Sequence, residues 1–165
     1  MSQYSVDREW SDQNIQQMKQ IIGPHLLEIS SFKVDTQQAA DLVVLTSGNI
    51  TIGCRLRRPG YFERYPNDIT IRSARDSGAK TELSKIVDGW GTWIFYGHLD
   101  RDDIIHRWFI IDLTRFRAGL IRDQGRIGLQ NKKNGDGTHF VYFDITRCPE
   151  LLVSSSEMVE ELVAV

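Results

Sequence analysis

Residues 41–57 read DLVVLTSGNITIGCRLR, and this stretch decides the fold that the sequence predicts. Two runs rich in branched aliphatic residues flank the polar turn 47–49, which is the pattern of a β-hairpin. Side chains alternate between the two faces of a strand, so the second run places Arg55 and Arg57 together on one face, with apolar residues on the other. The stretch therefore predicts paired strands with one cationic face.

The register of this hairpin, 41–46 paired with 50–57, decides whether Asp41 meets Arg55. A three-residue loop places Asp41 directly opposite Arg55 on the same face of the sheet. A two-residue loop shifts the pairing by one residue and puts the two side chains on opposite faces. Both registers remain open on the sequence alone.

The other elements are predicted from hydrophobic periodicity and from turn and cap residues. They are a helix over 11–22, strands over 25–34, 68–72, 92–97, 107–111 and 139–145, short helices over 81–88 and 112–117, and an acidic C-terminal helix containing Glu157, Glu160 and Glu161. This order predicts an α/β (α+β) fold, in which a central mixed sheet carries an N-terminal helix and a short helix that follows the hairpin. No repeat or linker divides residues 1–165, so we expect a single domain.

The composition excludes several classes of protein. The chain is 41% hydrophobic and 25% charged, which is typical of a globular domain. It has no apolar run long enough for a membrane helix and no secretory signal pattern, so the sequence predicts a cytoplasmic protein without a membrane partner. Its two cysteines form no CxxC pair, and neither a P-loop nor a GxGxxG stretch is present.

Positive charge is concentrated in one segment although the net charge is −2. Residues 55–75 contain six arginines and two acidic residues. Guanidinium groups bind phosphates and carboxylates in bidentate geometry, so this segment favours a polyanionic partner. The alternative is an ion-paired, solvated edge of the sheet.

A second set of residues can join this cationic face. Glu82 and Lys85 are three residues apart on the short helix and therefore share a face. If that helix packs across the sheet, Asp41 and Glu82 could hold Mg²⁺ or Mn²⁺, and Lys85 could stabilise charge developing on a phosphate. The alternative is a set of ion pairs that joins Asp41 to Arg55 and Glu82 to Lys85.

The order of elements between Ser11 and Gly97 resembles the core of the PD-(D/E)XK nuclease superfamily. Asp41, within Ala40-Asp41-Leu42, stands where that family's first metal-binding aspartate begins a strand. Residues 70–97 also look like small phage and bacterial proteins of this fold. The resemblance implies a restriction-endonuclease-like core over about 11–97, followed by C-terminal strands and a short acidic helix over 98–165.

The chain departs from the family pattern on the next strand. The family has an acid, any residue and a lysine there, whereas this sequence has Gly53-Cys54-Arg55. Some members of the superfamily carry a catalytic side chain on the neighbouring helix instead, and Glu82 with Lys85 would take that role here. If these residues do not converge with Asp41, the resemblance implies a nuclease-like fold that binds without cleaving.

Three functions are therefore expected, in order of preference. The first is a metal-dependent nuclease that uses Asp41, Glu82 and Lys85, with Mg²⁺ or Mn²⁺ on the two acids. Its nucleic-acid contacts would come from three arginines: Arg55, Arg57 and Arg72. The second is a non-catalytic nucleic-acid-binding module, and for both of these DNA is favoured over RNA. The third is a protein-interaction or assembly subunit, which includes a homo-oligomer.

Overall fold

The computed structural model describes residues 6, 9–10, 12–29, 42–44, 50–122 and 124–163, with the backbone alone for 27–29, 42–44, 124 and 162–163. The strands are β1 Leu27–Ile29, β2 Leu42–Val44, β3 Ile52–Arg57, β4 Asp68–Arg75, β5 Trp93–Leu99, β6 Ile105–Asp112, β7 Gln130–Lys133, β8 Thr138–Asp144 and β9 Leu152–Ser155. The helices are α1 Ile15–Ile22, α2 Glu82–Val87, α3 Leu113–Arg122, α4 Gln124–Ile127 and α5 Ser156–Val163. No helix in these ranges is both long and apolar enough to span a membrane.

The central sheet has four strands in the order β3-β5-β6-β9. β5 and β6 form an antiparallel hairpin, β9 adds antiparallel to β6, and β3 lies parallel to β5 from Ile52↔Trp93 to Arg57↔His98. Every residue of β5 is buried, as the aromatic and branched run of that strand predicts. The structure therefore confirms an α+β fold with a mixed central sheet and an N-terminal helix.

A separate antiparallel sheet has the order β4-β8-β7, and β1 pairs with β2 in a small two-stranded sheet. β7 and β8 are joined by a turn at 134–137, in which Gly137 has a positive φ of 79°. β4 is an edge strand of the three-stranded sheet, as β3 is of the central one. The two edge strands come together at one end of α2, where the Glu82 side chain contacts the side chain of Arg55 on β3 and the backbone of Arg72 on β4.

The predicted hairpin between 41–46 and 50–57 is wrong for the described residues. β2 pairs with β1, through Leu27↔Val44 to Ile29↔Leu42, while β3 pairs with β5. The physical reason is burial: β3 gains a fully buried strand as its neighbour, and its apolar residues Ile52 and Leu56 pack on the core.

Two apolar clusters lie on the two faces of the central sheet. On one face, α1 covers residues such as Phe95 and Ile110 with Met18 and Ile22. On the other face, the inner side of the three-stranded sheet packs together with α2 and α3. The residues of this second cluster that come from the two sheets are Ile69, Ile71, Ile94, Tyr96, Phe109, Ile111, Val141 and Phe143. The opposite side of the three-stranded sheet therefore faces away from the core.

Helix α2 begins and ends where the sequence predicts. Thr81 is the N-cap, and its side chain forms a reciprocal capping box with Ser84. Gly89 follows the helix with a φ of 92°, a left-handed conformation that favours glycine. These local signals fix the position of Glu82 at the first turn of the helix.

Candidate functional site

The outward side of the three-stranded sheet carries a mixed row of aromatic and cationic residues. Alternation along β8 turns Val141 and Phe143 into the core and Phe140 and Tyr142 outward. Across the sheet, Phe140 has Arg72 on one side and Lys132 on the other as its Cα partners. An aromatic ring on the central strand thus lies between two cations.

This face forms one wall of an open groove with a volume of about 640 Å³. The opposite wall is the outer edge of β3 and the loop that follows it, which contribute Arg55, Arg57 and Arg64 together with Tyr61 and Tyr65. Both tyrosines are exposed, by 42% and 43%. The groove therefore combines guanidinium groups with accessible aromatic rings.

Positive charge dominates the lining of the groove. The cations are Arg55, Arg57, Arg64, Arg72 and Lys132, and the only carboxylate among the described lining residues is Asp68. Burial and the carboxylate of Asp144, its Cα partner on β8, raise the pKa of Asp68, whereas Arg57 lowers it. The charged form of this single acid is thus disfavoured.

Arg55 is held by the carboxylate of Glu82. Its Nη1 donates to Glu82 Oε2 at 2.5 Å, and the two side chains are 23% and 30% exposed. The same oxygen accepts a hydrogen bond from the backbone N–H of Arg72 at 3.1 Å. One carboxylate at the start of α2 therefore joins β3 to β4 and fixes one end of the groove.

Arg57 is also fixed in place. Its Nη1 donates to Thr70 Oγ1 at 3.3 Å, and Thr70 shares a hydrogen bond with the hydroxyl of Tyr96 at 3.0 Å. The guanidinium carbon lies 4.0 Å from the ring centroid of Tyr61, which is within the range of a cation–π interaction. Among the residues that the structure describes, the other donors of the Arg57 guanidinium have no hydrogen-bond partner, which leaves them for a ligand in the groove.

Arg72 lies in a crowded cationic environment. Burial lowers its pKa, and the charges of Arg75 and Arg55 lower it further, while Glu82 and Asp136 act in the opposite direction. Within the part of the chain that is described, Arg57, Arg64, Arg72 and Lys132 have no ion pair shorter than 4 Å. An anion that entered the groove would relieve this repulsion.

The structure brings together only part of the predicted site. Asp41 lies outside the described residues, so its convergence with Glu82 stays a prediction. Glu82 pairs with Arg55 and not with Lys85, which is exposed on α2 and does not line the groove. No group of three or more metal-ligating side chains occurs among the residues that the structure describes. The three predicted nucleic-acid contacts, Arg55, Arg57 and Arg72, do line one groove.

Sequence reasoning missed the aromatic and lysine half of this groove. The signal was present in residues 138–144, THFVYFD, where aromatic residues occupy both faces of one strand. A strand with one face in the core needs aromatic residues on that face only, so Phe140 and Tyr142 on the other face indicate a second role. Lys132 could not be placed beside them without the register of β7.

Comparison of the chain with protein-family models, with curated proteins and with solved structures finds no match.

Proposed function

We propose that this protein binds nucleic acid, and that its groove holds the sugar-phosphate backbone with Arg55, Arg57, Arg64, Arg72 and Lys132. The observation that carries the proposal is the charge of the groove: five cations face one carboxylate in a protein whose net charge is −2. Guanidinium groups match the geometry of phosphate oxygens, and phosphate contacts supply most of the affinity in such complexes.

The fixed positions of two arginines support this proposal. Arg55 is held by Glu82, and Arg57 is held by Thr70 and Tyr61. A guanidinium that is already oriented loses less side-chain entropy when it binds a phosphate than one that is free to rotate. The groove therefore has the preorganised cations that backbone recognition needs.

Metal-dependent cleavage by Asp41, Glu82 and Lys85 stays a prediction, as does the restriction-endonuclease-like core. The mixed central sheet is consistent with such a core, but β3 and β4 belong to different sheets. The Oε2 atom of Glu82 already accepts from Arg55 and from the Arg72 backbone, so a metal ion at this carboxylate would lie beside the Arg55 guanidinium, whose positive charge opposes its binding. We therefore propose binding and leave cleavage as an outcome of the test.

The test is an anisotropy titration of labelled DNA and RNA, single-stranded and duplex, in low salt with Mg²⁺, Mn²⁺ or chelator. The variants Arg64→Gln and Lys132→Gln each remove one charge from the groove, and Arg101→Gln and Arg122→Gln each remove one exposed charge elsewhere. We expect the groove variants alone to lose several-fold in affinity. Equal losses in both pairs, or no binding to any of these nucleic acids, would contradict the proposal. Cleavage is followed on a gel, and products that appear only with metal and disappear in Asp41→Ala, whose nucleic-acid binding is measured in parallel, would establish the nuclease.

A further inference from the structure

We infer that the groove takes single-stranded nucleic acid, and that Phe140 and Tyr142 stack on two neighbouring bases. This inference rests on the proposed function, because it assumes that the cations hold a phosphate backbone. It adds what the charges alone do not specify, namely the strandedness of the ligand and the residues that contact its bases.

The two rings occupy the centre of the outward face. Phe140 and Tyr142 are two residues apart on β8, the middle strand of the sheet, and their ring centroids lie 6.2 Å apart. The planes are inclined by 49°, so the rings do not stack on each other. Both side chains are partly exposed in the groove. Each ring therefore has accessible surface on which a separate base can lie.

Polar and cationic neighbours hold the rings and flank them. The hydroxyl of Tyr142 donates to Gln130 Oε1 at 2.5 Å, which limits rotation of its ring. Arg72 and Lys132 lie on either side of Phe140, on β4 and β7. A nucleic-acid strand that runs along β8 would thus place neighbouring bases on the two rings and its phosphates near the cations that flank Phe140 on both sides. Sheets that bind RNA through exposed aromatic residues use the same physical combination.

A duplex would not use this surface. Its bases are stacked and paired inside the helix, so it presents phosphates and groove edges instead of base faces. Phe140 and Tyr142 would then lose hydration against phosphates and gain no stacking partner. Unpaired bases offer their faces freely, which is why the aromatic rings favour a single strand.

The experiment compares one sequence as single strand and as duplex, in DNA and in RNA, with the full chain. We expect the single strand to bind more tightly than the duplex in at least one of the two chemistries. Phe140→Leu and Tyr142→Leu should each weaken single-strand binding by about 5- to 100-fold. They should leave the salt dependence unchanged, since neither removes a phosphate contact.

Two controls separate stacking from structural damage. Tyr142→Phe keeps the ring and loses only the hydroxyl contact, so it should retain most of the affinity that Tyr142→Leu loses. Trp90→Leu removes an aromatic side chain that is 63% exposed and outside the groove, and it should bind as the wild type does. Thermal unfolding of each variant identifies any loss that reflects misfolding.

The outcomes distinguish this inference from the proposed function. If the groove-charge variants weaken binding but the leucine variants of Phe140 and Tyr142 do not, the inference is wrong and the proposed function stands. Tighter binding of the duplex in both DNA and RNA would likewise overturn the inference alone. If neither single strand nor duplex binds at low salt, both are wrong.

Discussion

Among single residues, Glu82 has a different role in the structure from the one that the sequence predicts. Its place on the first turn of α2 was predictable from the Thr81 cap, but its partner was not, because Arg55 is distant in sequence and meets it only through the packing of β3 against β5. The carboxylate that the sequence predicts as a metal ligand accepts two hydrogen bonds from protein groups. It is a residue that positions the cations of the groove.

Replacing Glu82 tests this role through stability. Glu82→Ala leaves the Arg72 N–H and a guanidinium group of Arg55 without their acceptor, so we expect the free energy of unfolding to fall by about 1–3 kcal/mol. Glu82→Gln keeps an oxygen that can accept from the Arg72 N–H and should lose less. Urea denaturation measures both. An alanine variant as stable as the wild type would show that the carboxylate holds nothing together.

His98 is a second residue whose environment was not predictable from its neighbours in sequence. It is 1% exposed, and neither ring nitrogen has a hydrogen-bond partner among the described residues. Burial lowers its pKa from 6.5 to about 4, and the charges of Arg57, His106 and Arg107 act in the same direction. The imidazole is therefore neutral in the folded protein at pH 6.

The low pKa of His98 predicts that the folded protein loses stability as the pH falls. Between pH 6.5 and about 4 the unfolded chain binds a proton at His98 that the folded chain does not. Stability from this residue is thus present above pH 6.5 and declines as the pH falls towards 4, by up to about 3 kcal/mol. His98→Leu should remove this part of the pH dependence, and His106→Gln, at an exposed position, should retain most of it. Urea titrations across this range measure the difference, and an unchanged slope in His98→Leu would refute the assignment.

Among helices and strands, the cap residues, turn residues and apolar runs in the sequence predicted most of the elements. They did not predict which strands pair with one another. Thr81 and Gly89 delimit α2, and the aromatic run of β5 predicts a buried strand. The partner of β3 was wrong because a turn signal is local, whereas the parallel pairing with β5 depends on core burial that only the complete fold provides. Arg55 and Arg57 still share a face, since alternation holds whichever strand is the neighbour.

The close packing of β3 against β5 at Gly97 predicts that a side chain added there destabilises the protein. A Cβ at Gly97 would lie 2.9 Å from both Leu56 Cδ2 and Phe95 Cε1, so Gly97→Ala must displace β3 or the core. We expect it to lower the free energy of unfolding by about 1–3 kcal/mol and to weaken nucleic-acid binding, because β3 carries two groove arginines. Gly53→Ala on β3 is the matched control, since its nearest atom would be 3.9 Å away. Equal effects of the two substitutions would show that close packing at Gly97 does not position β3.

At the scale of the whole molecule, the groove arises because two sheets meet at their edges. The arginine-rich segment supplies β3, its loop and β4, while Phe140 and Tyr142 come from β8 and Lys132 from β7. The sequence could therefore indicate one half of the groove from local charge. Placing the other half beside it required the pairing of β4 with β8, two strands that lie about 70 residues apart along the chain.

The salt dependence of binding tests most directly whether the groove holds a phosphate backbone. The slope of log association constant against log salt concentration reports the number of phosphates neutralised, with about 0.7 units for each contact on a single strand. This slope is negative, and we predict that the double variant Arg64→Gln with Lys132→Gln reduces its magnitude by about 1.4, while the double variant Arg101→Gln with Arg122→Gln leaves it as in the wild type. A slope that is the same in all three proteins would show that nucleic acid, if it binds, does so elsewhere than in this groove.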